Sequence, residues 1–260
     1  MMNSPDLRKN VETPPRATTA SCDPRENLET LREAARRFGM DVVSSAKIGP
    51  GDKARFHSSI RETSARLDFG IVLGLRLSDR VLDTIAGAPN WTYYHHYRTV
   101  NLALDQAALY CAGECQRMGR RAFPVPASQI MDWENLKAHL SHRELGGLAG
   151  IGWRGRNNLL VHPEFGSQVR YVSVLTDLPL PERGIELDGG MDCGECRACV
   201  GVCPAGAIEM DPNAFNLDKC TAQVRRFAQS EKLNTLICGI CVRACGGRFK
   251  KAVGAGRGCA

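Results

Sequence analysis

With 260 residues, 43% of them hydrophobic and 24% charged, the chain is long enough for one sizeable core plus a small module and is ordinary in polarity. Its twelve cysteines do not make a disulfide scaffold, which belongs to short secreted chains, and no run approaches the roughly twenty apolar residues of a membrane span. A formal charge of +6 is too small to point by itself to nucleic acid.

Residues 1–24 are polar and rich in Pro, Ser and Thr. They lack the apolar core of a secretory signal and an Arg-Arg pair followed by an apolar stretch, and so read as a disordered leader on a cytoplasmic protein. From Asn27 to Phe38, Leu and Ala recur at helical spacing among charges, and Gly39 stands where such a helix would stop. Phe69 to Leu77 is a short apolar run suited to a strand covered on both faces, and Asp79 is placed to cap the turn that follows.

Trp91 to Met118 carries Val100, Leu102, Leu104, Ala107, Ala108 and Cys111 at helical spacing, which predicts a long helix. Its polar start, Thr92 to Arg98, packs three tyrosines, two histidines and an arginine into seven residues. Tyr93, Tyr94, His95 and His96 therefore stand as candidate pocket residues, although the same residue types also suit amphipathic packing. Cys111 and Cys115 share a helical face and read as core filling.

Arg121 to Ser128 has prolines at alternate positions, compatible with a strand that leads into a loop and not with a central paired strand. A helix is expected from near Gln129 to Leu145, carrying His139 and His142 as further proton-donor candidates. From Gly146 to Asn157 there are five glycines in twelve positions, a backbone that permits close approach to a large ligand. It lacks the order of glycines and the preceding strand of a dinucleotide fingerprint. Asn158–His162 and Val169–Thr176 look like strands paired around a turn at Pro163–Ser167, and a linker rich in Pro, Glu and Gly follows.

The strongest signal comes last. Cys193, Cys196, Cys199 and Cys203, the last followed by Pro204, form a CxxCxxCxxxCP run; Cys220 stands alone, and Cys238, Cys241 and Cys245 complete a second group. Eight thiolates suffice for two [4Fe-4S] clusters. The crossed ligation of two-cluster ferredoxins assigns Cys193, Cys196, Cys199 and Cys245 to one, and Cys203, Cys220, Cys238 and Cys241 to the other. Structural zinc on CxxC pairs is the competing reading, but zinc gives no reason for the order of the whole run. Gly246 stands where a symmetric second motif would have proline, so the second group is not a copy of the first. Two such clusters bring about −4 in their oxidised form, leaving a total near +2 and making Arg197, Arg243, Arg248, Lys250 and Lys251 candidate counter-charges.

The segment from Gly150 to Gly166, the run from Val174 to Leu180 and the cysteine motif, in that order, resemble epoxyqueuosine reductases and their relatives, which include reductive dehalogenases. The resemblance implies an α+β chain, with a nitroreductase-like α/β domain at 25–182 that binds cobalamin and a bacterial two-cluster ferredoxin-like module at 183–260. It implies that Gly152, Trp153, Gly155, Arg156 and Asn157 lie against the corrin or its tail, with Arg156 where the reductases usually carry lysine. An aspartate that those enzymes hold in a Val-Asp-Ser-Ala segment has no counterpart in Pro124–Ser128, and no tRNA-binding extension follows the second cysteine group.

The expectation is a corrinoid-dependent reductase with a different substrate, a small molecule or modified base, with tRNA the less favoured partner, fed by a ferredoxin- or flavodoxin-type donor. Any of Tyr93, Tyr94, His95, His96, His139 and His142 could replace the missing acid. The alternative is a non-catalytic electron carrier.

Overall fold

The computed structural model of the chain describes residues 19–185 and 192–247. The expected leader as far as residue 18, part of the linker, and Arg248, Lys250 and Lys251 lie outside them.

Helix α1 (Pro24–Arg36) starts where Asp23 accepts the Arg25 amide at 2.8 Å with Pro24 at its first position. It buries Leu28, Leu31, Ala34 and Ala35, and the chain turns away through Gly39 at φ 71°. Strand β1 (Val42–Lys47) and two short helices, α2 (Pro50–Ala54) and α3 (Ser58–Arg61), lead to β2 (Phe69–Arg76) and α4 (Asp79–Asp83). The long helix α5 (Trp91–Arg117) is capped by Asn90, whose side chain accepts the Tyr93 amide at 2.9 Å. Then come β3 (Ala122–Val125), α6 (His142–Leu148), β4 (Trp153–Arg154), β5 (Leu160–Val161) and β6 (Val169–Thr176). The cysteine-bearing part supplies α7 (Ala198–Val202), a 3-10 turn at Pro212–Ala214, α8 (Leu217–Ser230) and α9 (Ile240–Ala244).

Four strands form one antiparallel sheet in the order β1-β2-β6-β3, and β4 pairs with β5 in a separate two-stranded ribbon. The middle strands β2 and β6 are covered on both faces. Ile71, Leu73, Val172 and Val174 join α1 and α5 in one core, while Val72, Tyr171 and Leu175 join α6 in the other. Leu233 and Ile237, which precede the second cysteine group, are buried in the α5 core, so the two parts of the chain share apolar packing. Strand β3, with Pro124 inside it, lies at the sheet edge as its prolines require. Among the described residues no helix is long and apolar enough to cross a membrane.

Several expectations change. The helix expected over 129–145 is mostly a turn. Asp132 captures the amides of Glu134 and Asn135 at 3.0 Å each, and the helix proper begins only after Ser141 caps the Glu144 amide. The stretch Asn158–His162 does not pair with β6, because β2 and β3 occupy both edges of that strand; β5 pairs with β4 instead. Ser78, not Asp79, takes the cap position of α4.

Candidate iron–sulfur and redox site

The two cysteine groups are interleaved in space. Cys199, at the start of α7, is within electrostatic reach of Cys245, Cys193 and Cys196. Cys203, Cys220, Cys238 and Cys241 line a single cavity. The rest of its wall is Pro204, Ala205, Ile208, Phe215 and Val224, with Asn157 and Gln223 as the polar side chains. Left-handed glycines make these approaches possible. Gly239, at φ 79°, lets the Cys238–Cys241 turn pack on the Tyr93 ring, and Gly166, at φ 62°, sits so near the Cys245 carbonyl that a Cβ would lie 2.1 Å from it.

Burial pushes the Cys199 and Cys238 thiols up to about 11, and it raises Cys220, Cys241 and Cys245 as well. Nearby cysteines add to the rise, since several thiolates together repel. Such a set is inert as bare thiols and becomes a ligand set when a cationic core offsets the charge. Among the described residues no group of three or more His, Cys, Asp or Glu is gathered closely enough for one metal ion.

The glycine-rich run packs against the first cysteine loop. The Arg156 guanidinium donates to the carbonyls of Met210, Cys196 and Gly194 at 2.6, 3.1 and 2.8 Å, which ties it to the first cysteine loop. Trp153 donates its indole N–H to Cys193 Sγ at 3.4 Å, and buried Asn157 donates to Ser167 Oγ at 2.9 Å. Cβ atoms on Gly152 and Gly155 would fall 1.9 Å from the Val161 carbonyl and 2.5 Å from the Val161 side chain. The missing side chains at Gly152 and Gly155 thus make room for Val161, and Trp153 and Arg156 engage the first cysteine loop.

The candidate proton donors sit in different surroundings, although Tyr93 and His142 both lie within electrostatic reach of Arg170, and His142 also of His139. Tyr93 is buried against Gly239, and burial raises its pKa far above the ordinary tyrosine value. Tyr94 is buried beneath Trp91, with its ring 5.6 Å from the Arg98 guanidinium, and His95 is exposed. His96 accepts the Ser78 amide at 3.1 Å, and burial holds its pKa down. His139 is buried with Nδ1 unpartnered among the described residues, and burial and His57 lower it. In His142, Nδ1 lies 2.8 Å from Ser173 Oγ and Nε2 lies 3.0 Å from the Pro126 carbonyl. Burial drops it to about 4, so the ring is neutral, with Nε2–H donating and Nδ1 accepting.

A group not singled out from sequence lies beside His142. The Tyr97 hydroxyl is 2.7 Å from Ser128 Oγ, the Arg170 guanidinium sits 4.1 Å from the Tyr97 ring centre, and Arg170 Nε donates to Asn101 Oδ1 at 2.6 Å. Burial raises the phenol, but Arg170 and the hydrogen bonds with Ser128 and Asn101 overcome it and leave Tyr97 below its ordinary value. The signal available in the sequence was Arg170 itself, a charge at a β6 position that shares a face with Val172 and Val174 and therefore demands a partner.

No family model matches the sequence. Among curated proteins, the epoxyqueuosine reductase of Bacillus anthracis is 35% identical over 115 residues, covering 41% of this chain and 29% of that protein. The epoxyqueuosine reductase of Pseudomonas aeruginosa is 26% identical over 232 residues, covering 76% of this chain and 60% of the other. The chain thus spans less than two thirds of either relative.

Among solved structures, one described as a reductive dehalogenase that suggests a mechanism for B12-dependent dehalogenation aligns with a TM-score of 0.67 at 20% identity. The alignment covers 87% of this chain and 33% of that one. A selenomethionine-labelled epoxyqueuosine reductase aligns with a TM-score of 0.54 at 20% identity, covering 86% and 66%. These matches show that the chain is similar in sequence to epoxyqueuosine reductases and shares its mixed helix and sheet fold with the solved epoxyqueuosine reductase and reductive dehalogenase structures.

Proposed function

We propose that this chain is a two-cluster iron–sulfur oxidoreductase that passes single electrons toward an electrophilic small molecule or modified base, with a nitroreductase-like domain at 25–182 and a ferredoxin-like module at 183–260. The observation that carries the reading is the shared cavity of Cys203, Cys220, Cys238 and Cys241, a set assembled from three separate parts of the sequence. When bound, the clusters supply electrons one at a time. A ferredoxin- or flavodoxin-type protein in the cytoplasm is the donor this chemistry calls for.

Reduction of a carbon–halogen bond or an epoxide consumes protons as well as electrons, and Tyr97 is the residue best prepared to give one. Arg170 and Ser128 stabilise the phenolate left behind, and Tyr97 and Ser128 together stand in for the absent aspartate.

Cobalamin is the further cofactor that the superfamily implies. Its test is a titration of the anaerobically reconstituted protein, followed in the visible spectrum. Binding near one per chain supports a corrinoid-dependent reductase. A spectrum that stays that of the clusters alone favours the second reading, an electron carrier, which has in its support the engagement of Trp153, Arg156 and Asn157 within the protein. For the clusters, iron and sulfide near eight each are expected, and Cys220→Ala should hold about half. Retention of the full iron content by Cys220→Ala contradicts the two-cluster assignment.

A further inference from the structure

The two four-cysteine sets sit in unlike surroundings. Around Cys203, Cys220, Cys238 and Cys241 the wall is largely carbon, and the donors to sulfur are backbone amides, that of Ala207 reaching Cys203 Sγ at 3.4 Å. The other set is uneven, with Cys199 buried and Cys193 and Cys245 part-exposed, but it holds in Cys196 the one fully exposed thiol of the eight. It also receives side-chain donors. Trp153 Nε1–H points at Cys193 Sγ from 3.4 Å. Ser167 Oγ accepts the Asn157 amide at 2.9 Å, which leaves its own proton free for the neighbouring Cys245. The Arg156 guanidinium, held on the Gly194 and Cys196 carbonyls, fixes a positive charge against the same loop.

Each of these effects stabilises added negative charge. A four-iron cluster gains one unit of negative charge on reduction, so hydrogen bonds to its thiolates, solvent exposure and a nearby cation all favour the reduced form, while an apolar wall opposes it. Resting on the two-cluster reading above, we propose that Trp153, Ser167 and Arg156 are potential-setting residues that make the Cys193–Cys196–Cys199–Cys245 cluster the easier of the two to reduce. The first electron to enter the protein rests there, and the cluster in the apolar cavity fills second. The glycine-rich run is then a redox-tuning element facing the cysteines.

The experiment is a potentiometric titration of the reconstituted full chain followed by electron paramagnetic resonance, on the wild type, Trp153→Phe, Ser167→Ala and Cys220→Ala. Two separate midpoints are expected for the wild type. In Trp153→Phe the higher should fall by the equivalent of about a tenfold change in equilibrium constant, 59 mV for one electron, while the lower stays in place. Ser167→Ala should move the same midpoint in the same direction. Cys220→Ala should keep the higher midpoint and lose the lower.

The proposal is overturned if both variants, at full iron and sulfide content, leave the higher midpoint unchanged, or if Cys220→Ala retains the lower one. A wild-type chain that fails to take up close to eight iron and eight sulfide overturns the underlying two-cluster reading, and the proposal with it. The two failures are told apart by metal content before any potential is measured.

Discussion

Replacing His142 with Gln should flatten the acid limb of the stability profile. His142 is neutral in the folded chain and would carry a proton in the unfolded one below its ordinary pKa. Its pKa falls from 6.5 to about 4 on folding, chiefly through burial, with Arg170 and His139 acting in the same direction. A histidine held down in this way makes the unfolded state bind the extra proton, so stability rises with pH between about 4 and 6.5 and is lost on acidification through that window. At about 1.36 kcal/mol per unit, the whole gap is worth at most about 3 kcal/mol, and the part between pH 7 and pH 5 about 2 kcal/mol.

Gln can still donate to the Pro126 carbonyl and accept from Ser173, so the local geometry survives while the titration is removed. Urea unfolding of both proteins at pH 7, 6 and 5 gives the comparison, and other titrating groups cancel in the difference. The wild type should lose about 2 kcal/mol more than His142→Gln over that range. Parallel profiles would show that the ring is not held neutral, and the hydrogen-bond assignment at Pro126 would fall with it.

Other expectations can be checked without a substrate. Ultraviolet titration of the tyrosines should find one phenol ionising below its ordinary value, lost in Tyr97→Phe and shifted upward in Arg170→Met, while Tyr93 and Tyr171 ionise above theirs. Arg156→Lys keeps the charge but cannot span three carbonyls; it should cost about 2 kcal/mol and lower Tm by about 4–8 °C in thermal unfolding. Gly152→Ala brings a methyl to 1.9 Å from the Val161 carbonyl and should destabilise by more than about 1 kcal/mol, where a tolerant glycine would show no loss.

Legibility from sequence followed how local the controlling interaction was. Helix α5 was evident because its apolar residues repeat over many turns and face one core. Strand β2 was evident because it is apolar on both faces. Strand β1 was not singled out. Ser44 and Ser45 are buried in it and donate to the Ala149 and Pro181 carbonyls at 2.6 and 2.8 Å, so polar residues occupy core positions and blur the pattern. The pairing of β5 depended on which edges of β6 were already taken, a property of the assembled sheet. The order of the eight cysteines suggested two sets because it resembles a known wrapping pattern. Tyr97, Ser128 and Arg170 come from three distant elements, and no spacing links them.

The packing of Leu233, Ile237 and Tyr93 in one core has a consequence for the life of the protein in the cell. Arg243 also donates to the Ile85 carbonyl at 2.6 Å, so the segment that carries the last three cysteines forms part of the wall over α4 and α5. On the proposed two-cluster reading, a chain starved of iron would lack the bonds that tether this segment at its sulfurs, and opening it would bare Ile85, Leu82 and Tyr93 to water. Such a surface is what degradative proteases and chaperones recognise, so metal supply would govern how long each copy survives as well as whether it can react.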